Sequence, residues 1–174
     1  MTTLREVAKE AGISIGAVQH HYGTKGHLID AVEAYVRDIM HELFSPTPST
    51  TSGAAPIEAS GETVKRLIVD YPFVAGYVAR AMVDNTAFGA SIFDGLVELG
   101  EQRWQDRADE GLLADDVDLL FANVNTVLLG AAGVIFRAQI DRYLSGTFNS
   151  TQTVSRWVES VNTLIRKTYL KGDV

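Results

Sequence analysis

Apolar residues recur at helical spacing from the start of the chain. The first amphipathic segment has its apolar positions at Leu4, Val7, Ala8 and Ala11. Thr3 and Glu6 form a capping box at its start, because each side chain can satisfy a backbone N–H group of the other residue. Gly12 is a typical left-handed residue for ending this helix, and Ser14 is a typical N-cap for a second helix from residue 15 to about residue 22. The pattern therefore predicts two short helices joined by about three residues.

A third helix is predicted to begin after Gly23, with Thr24 as its cap, and to run to Phe44. Its apolar stripe consists of Leu28, Ile29, Val32, Val36, Ile39, Met40 and Leu43. Residues 45–56 then contain three of the four prolines in a Ser/Thr-rich stretch, which indicates a flexible loop. We therefore predict a first domain over residues 1–44, a loop over 45–56 and a second domain over 57–174.

The second domain also has helical periodicity throughout. Helices are predicted over residues 57–70, 72–84, 87–110, 115–144 and 151–171. No run alternates between apolar and polar residues with a period of two, as a half-buried strand would. The predicted fold class is all-α.

The last two predicted helices have more apolar surface than a small monomer covers easily. From Leu119 to Phe136 apolar residues lie on nearly every side of the helix. Pairing with the final helix across a two-fold axis would bury this surface in a four-helix bundle. The predicted dimer interface consists of Val124, Leu128, Ala131, Ile135, Val158, Val161 and Ile165. The alternative is that the first of these helices is simply the core helix of a monomer.

Composition limits the other possibilities. The chain of 174 residues is 46% apolar, so it is expected to fold, and it contains no cysteine that could form a disulfide or a thiolate metal site. With neither a secretion signal nor an apolar run long enough to span a bilayer, we expect a soluble, cytoplasmic protein. The net charge is −7, and residues 1–44 contain four cations and six anions. Any nucleic-acid surface must therefore be small.

Two capped helices separated by a glycine-containing turn are typical of a helix-turn-helix, whose second helix enters the DNA major groove. This segment resembles the signature of TetR-type transcriptional repressors over about residues 3–44. The matching residues are Thr3, Val7, Ala8, Ala11, Gly12, Ile13, Ser14, Gly16, Val18, His21, Tyr22, Lys25 and Leu28. The resemblance implies a DNA-binding domain followed by a helical domain for ligand binding and dimerisation.

The resemblance also implies roles for individual residues. Thr3 and Lys25 would contact phosphates. The second helix would face the groove with Ser14, Ile15, Gly16, Ala17, Gln19, His20 and His21. Small residues such as Gly16 allow close approach, and Gln19, which stands where the family commonly has tyrosine, can pair with adenine through two hydrogen bonds.

A small hydrophobic effector is expected to bind among the helices of the second domain. The candidate pocket residues are Tyr71, Phe73, Tyr77, Met82, Phe88, Phe93, Trp104, Asn123, Asn125 and Phe136. Most of them are also good core residues. We expect no cofactor and no metal site, because the four histidines never place two side chains on one face of a single helix. No set of residues indicates catalysis, so an enzyme is not expected.

TetR-type domains place a further helix, usually with basic residues, before the capped threonine, whereas only Met1 and Thr2 precede Thr3. We therefore expect either a longer gene product or weaker DNA binding by this chain. Two functions remain open. One is a ligand-responsive repressor that binds operator DNA as a homodimer. The other is a dimeric protein that binds small molecules or partners and keeps a vestigial helix-turn-helix.

Overall fold

A computed structural model describes residues 2–45 and 55–172. The chain divides into two compact units, Met1–Glu42 and Leu43–Val174. The division falls just before the boundary predicted after Phe44. Residues 46–54, which make up most of the predicted loop, lie outside the described residues, so the loop stays a prediction.

The N-terminal part of the chain contains the three predicted helices: α1 (Leu4–Glu10), α2 (Ile15–Tyr22) and α3 (Lys25–Phe44). Local signals set their ends. Gly12 has a φ of 67° and Gly23 a φ of 66°, the left-handed conformation that ends helices most easily at glycine. Thr24 caps α3, because its hydroxyl oxygen accepts a hydrogen bond from the backbone N–H of His27 at 3.2 Å.

The second unit is also helical. Its elements are α4 (Ala55–Asp70), α5 (Pro72–Val83), α6 (Ala87–Asp109), α7 (Leu119–Ile135), α8 (Arg137–Ile140), a 3-10 turn (Asp141–Tyr143) and α9 (Thr151–Tyr169). Over the described ranges no strand is formed, although an isolated antiparallel bridge pairs Leu113 with Leu170. The all-α prediction is confirmed.

The single long helix predicted over residues 115–144 is wrong. The side chain of Asp118 accepts a hydrogen bond from the backbone N–H of Phe121 at 3.2 Å, so α7 starts only at Leu119. Asp116, just before it, has a φ of 60°, which an α-helix does not allow. At the other end the chain bends by 64° between α7 and the segment Arg137–Tyr143. A side-chain oxygen of Asp141 accepts from the backbone N–H of Phe148 at 2.6 Å and so fixes the turn that follows.

Two apolar clusters hold the second unit together. The first consists of Ile57, Trp104, Ala122, Ile165 and Leu170. The second consists of Ile68, Phe148, Val154 and Val158. Both contain residues from α4 and α9, which pack against each other, while α6 packs against α5 and α7. Gly89 allows the close crossing of α5 and α6, because a Cβ there would collide with the backbone carbonyl of Ala81.

None of the described helices is by itself both long and apolar enough to cross a bilayer. Within the described residues, α7 taken together with the bent segment Arg137–Tyr143 is the one pair with the required length and composition.

Candidate nucleic-acid interface

The first helix of the candidate interface is fixed at its N-terminus by the predicted capping box. The backbone N–H of Thr3 donates to Glu6 Oε2 at 2.7 Å, and the backbone N–H of Glu6 donates to Thr3 Oγ1 at 3.3 Å. Thr3 Oγ1 also donates to Glu6 Oε2 at 3.0 Å. These bonds satisfy N–H groups that the helix itself leaves without partners.

The turn between α1 and α2 sets the position of the second helix. Gly12 lets the chain reverse, and the backbone N–H of Ile13 donates back to the carbonyl of Ala8 at 3.0 Å. Ser14 Oγ accepts from the backbone N–H of Ala17 at 3.1 Å and so caps α2. Ala8 on α1 and Val18 on α2 are both buried. The two helices pack against each other, which fixes the position of α2 relative to α1.

One face of α2 is open to solvent. Ser14, Ile15, Gly16, Gln19, His20 and His21 are exposed, whereas Ala17 is half-buried. The first turn of α2 contains no acidic residue, so the positive end of the helix dipole is not neutralised there. The predicted base-reading residues therefore lie together on a surface that an anion can approach.

Gly16 has no evident structural reason to be glycine. A Cβ at this position would have a single neighbour within 4 Å, Ser14 Oγ at 3.8 Å. The backbone of Gly16 is ordinary helix, and glycine in a helix is less favourable than alanine by roughly 0.5–1 kcal/mol. The missing side chain thus leaves space on the exposed face of α2.

The two predicted phosphate contacts differ in exposure. Thr3 is exposed, and Lys25, the first residue of α3, is half-buried. Both residues act on the carboxyl group of Glu6. The backbone N–H and then the hydroxyl of Thr3 lower the pKa of Glu6, with a smaller contribution from the charge of Lys25.

His27 is a positioning residue that the sequence analysis missed. Its Nδ1 lies 3.1 Å from the carbonyl oxygen of Tyr22, so the ring ties the start of α3 to the end of α2. The backbone N–H of Thr24 donates to the same carbonyl at 2.7 Å. Within the part of the chain that the structure describes, no group of three or more histidine or acidic side chains is arranged to hold a metal ion.

Some of the predicted effector residues form two contact groups in the second unit, and the rest lie apart from them. Tyr77 and Phe88 make an edge-to-face contact with ring centroids 5.8 Å apart. Trp104 and Asn125 both contact Tyr169, the tryptophan edge-to-face at 5.4 Å and the amide by donating to the phenol oxygen at 2.9 Å. Tyr169 was not predicted, and it joins α9 to α6 and α7.

The remaining effector candidates have different environments. Asn123 is buried and donates from Nδ2 to the carbonyl of Val97 at 2.8 Å. Tyr71, Met82 and Phe93 are half-buried. Phe73 is 91% exposed and Phe136 is 55% exposed, so neither joins the two groups. The effector pocket itself stays a prediction.

The predicted dimer residues differ in burial. Leu128 is exposed, and Val124, Ala131, Ile135 and Val161 are half-buried. Val158 and Ile165, by contrast, are buried in the two core clusters of the chain itself. Their assignment to a dimer interface is corrected, because α4 already covers that face of α9. The exposed large apolar side chain on α9 is Leu164 instead.

The segment that forms the two-helix unit matches a known family. Residues 1–32 match the model for bacterial regulatory proteins of the tetR family. No curated protein matches the sequence.

Solved structures resemble the whole chain in fold. A protein from Rhodococcus sp. that is described as a TetR-family transcriptional regulator has a TM-score of 0.66 and 16% identity, covering 94% of this chain and 87% of its own. A TetR transcription regulator from Haloarcula marismortui ATCC 43049 has a TM-score of 0.64 and 14% identity, with coverages of 97% and 87%. The ketosteroid transcriptional regulator KstR2 of Mycobacterium tuberculosis has a TM-score of 0.62 and 14% identity, with coverages of 98% and 85%.

The structures, at these identities, support the fold, while the family model matches the segment that forms α1, α2 and the start of α3. Both findings agree with the capped helices and the exposed face of α2. Residues 1–32 are therefore similar to bacterial regulatory proteins of the tetR family, and the chain has the fold of the solved structures named above.

Proposed function

We propose that the chain is a transcriptional repressor that binds operator DNA as a homodimer and is released by a small, mainly apolar effector. It would act in the cytoplasm, where the DNA is. The observation that carries the proposal is the exposed face of α2, on which Gln19 and the open position at Gly16 lie within the segment that matches the family.

DNA reading would combine two kinds of contact. Gln19 has the donor and acceptor needed to recognise adenine in the major groove. Lys25 and the N-terminus of α2 would hold phosphates, which fix the position of the reading helix and carry no sequence information. Because the chain is acidic overall, this small surface would contribute most of the attraction to DNA.

Dimer formation would use the apolar face of α7 and its neighbour α9. Leu120, Val124, Leu128 and Ile135 recur at helical spacing on α7, and Leu120 and Leu128 are more than half exposed. Leu164, an exposed apolar side chain on α9, would extend this surface. A second copy of the same surface would bury these side chains, each worth about 1.5–3 kcal/mol when fully covered. A dimer would also present two reading helices to the two halves of an operator.

The experiment compares two variants of the reading unit with a matched control. Lys25→Ala should weaken binding to every DNA sequence and reduce the salt slope of log K by about one unit. Gln19→Ala should instead cost about 1–3 kcal/mol at mainly one base pair per half-site. Lys9→Ala, which removes an exposed lysine of α1 outside the predicted contacts, is the control for the change in net charge.

Fluorescence anisotropy with operator and scrambled duplexes at several salt concentrations measures both effects. If Lys25→Ala and Lys9→Ala change DNA binding equally, the proposed contact at Lys25 is wrong. If Gln19→Ala weakens operator and scrambled DNA by the same factor, Gln19 does not read a base.

A further inference from the structure

A buried guanidinium without an ion pair lies near the end of α6. Arg107 is only 6% exposed, and its Nε makes no hydrogen bond. Its Nη1 donates to the backbone carbonyl of Arg103 at 2.8 Å, and the guanidinium carbon lies 5.2 Å from the centre of the Trp104 ring. The ion pairs formed within the described residues do not include Arg107. An arginine stays charged in proteins, so this burial is costly unless an anion is present.

The surroundings add positive charge. Arg103 lies one turn before Arg107 on α6, and its Nη1 donates to Ser60 Oγ on α4 at 3.0 Å. Burial lowers the pKa of Arg107, and the like charge of Arg103 lowers it further. Like charges spaced by four residues destabilise a helix, so the pair is unfavourable in the unliganded chain.

The carboxylates near Arg107 are engaged elsewhere or exposed. Glu58 Oε1 makes a short contact with Nη1 of Arg166, which also pairs with Glu159 at 2.8 Å. Glu58 Oε2 is buried without a hydrogen bond. Glu110, Asp106 and Glu58 all act on Arg107 through their charges, and Glu110 and Asp106 are exposed to solvent. Solvent weakens their effect on a buried cation.

The neighbourhood of this guanidinium is otherwise apolar. Trp104 belongs to the core cluster with Ile57, Ala122, Ile165 and Leu170. Nη1 is held by the carbonyl of Arg103, while Nε, on the edge that it shares with Nη2, has no acceptor. Two parallel N–H donors on one guanidinium edge match the two oxygens of a carboxylate.

We propose that Arg107 binds the carboxylate of an otherwise apolar small molecule, which packs near Trp104. This proposal deepens the proposed function. It rests on that function only where it makes the bound molecule the effector. An uncharged apolar effector would gain nothing from Arg107. A carboxylate would neutralise the buried guanidinium and satisfy its Nε–H group.

Calorimetry on the full chain tests the site. It measures the binding of octanoate and decanoate, and of octanol and decanol as their uncharged counterparts. The wild-type protein should bind each carboxylate about tenfold more tightly than its alcohol, because a charge-assisted bidentate pair replaces a neutral hydrogen bond. Arg107→Met should lose that preference and keep its affinity for the alcohols. Arg80→Met, at a side chain that is 77% exposed, is the matched control and should behave as wild type.

The unliganded variants separate a binding role from a structural one. If Arg107 serves a ligand, Arg107→Met should melt at the same temperature as wild type or higher, since it removes a buried charge that has no ion pair. If Arg107 only stabilises the C-terminus of α6, the variant should melt lower and keep the wild-type carboxylate preference. Arg107→Lys keeps the charge without the two-donor edge, so it should lose much of the preference even if Arg107→Met does not fold.

Two results would overturn the site. One is wild-type protein that binds neither carboxylate, or that binds acid and alcohol equally. The other is an unchanged preference in both Arg107 variants. Measuring DNA affinity with and without decanoate separates this proposal from the function. Binding at Arg107 without any change in DNA affinity would refute the effector role and leave the site standing. Release of DNA by the alcohols alone would refute the site and leave an effector-controlled function standing.

Discussion

The replacement Gly16→Ala should stabilise the first unit and weaken DNA binding at the same time. The added methyl group would meet only Ser14 Oγ, at 3.8 Å, which is an ordinary van der Waals contact. Gly16 has a helical backbone that alanine adopts without strain. Because alanine restricts the unfolded chain more than glycine does, the free energy of unfolding should rise by roughly 0.4–1 kcal/mol.

The same methyl group would occupy the space that a base edge or a phosphate needs. We expect DNA affinity to fall at least about tenfold, or ~1.4 kcal/mol. Gly26→Ala is the matched control, because Gly26 is likewise the second residue of a helix, α3, and a Cβ there would meet only Thr24 Oγ1 at 3.6 Å. This control should gain similar stability and keep the affinity of the wild type.

Amide hydrogen exchange in α2 and α3 measures the two stabilities, and fluorescence anisotropy at one fixed salt concentration measures DNA binding. Equal DNA affinities for Gly16→Ala, Gly26→Ala and wild type would refute the reasoning. They would mean that α2 does not approach DNA closely at Gly16.

Three further predictions concern stability and assembly. Gly89→Ala should lower the free energy of unfolding by about 1–3 kcal/mol in chemical denaturation. Gly95→Ala on the same helix, where a Cβ has open space, should not lower it. Equal effects of the two replacements would contradict the close crossing of α5 and α6. The capping hydrogen bonds lower the pKa of Glu6 below that of an ordinary glutamate. Its contribution to α1 is therefore present above the ordinary value and lost as the pH falls through the lowered pKa. Hydrogen exchange in α1 should follow this loss, and Glu6→Gln should abolish the dependence. Leu128→Glu should convert the proposed dimer to monomer or aggregate in sedimentation velocity, and a wild-type monomer at micromolar concentration would end the dimer proposal.

The ends of the first helices were predictable from the sequence because their causes are local. A cap such as Ser14 or a left-handed residue such as Gly12 acts within three or four residues, so the printed sequence contains the whole interaction. The bounds of α2 accordingly agree with the prediction. The exposed face of α2 follows from the same helix register.

The burial of single side chains in the second unit was not predictable in this way. Val158 and Ile165 have the same helical pattern as a dimer surface, and only the packing of α4 on α9 decides that they are covered within the chain. Periodicity likewise did not mark the bend at Phe136, since apolar residues continue up to it. Arg107 was missed because a charged residue near a helix end is normally solvated. Its spacing of three residues places it beside Trp104 on α6, but only the packing of the other helices buries both side chains.

Selection of DNA from a random-sequence pool by the purified protein tests the central claim most directly. The account predicts enrichment of an inverted repeat whose half-sites lie about one helical turn, ~10 base pairs, or a multiple of it apart, as two reading helices of a homodimer require. Enrichment should disappear at one position of each half-site in the Gln19→Ala variant. A pool that shows no enriched sequence after selection would contradict the assignment of α2 as a DNA-reading helix.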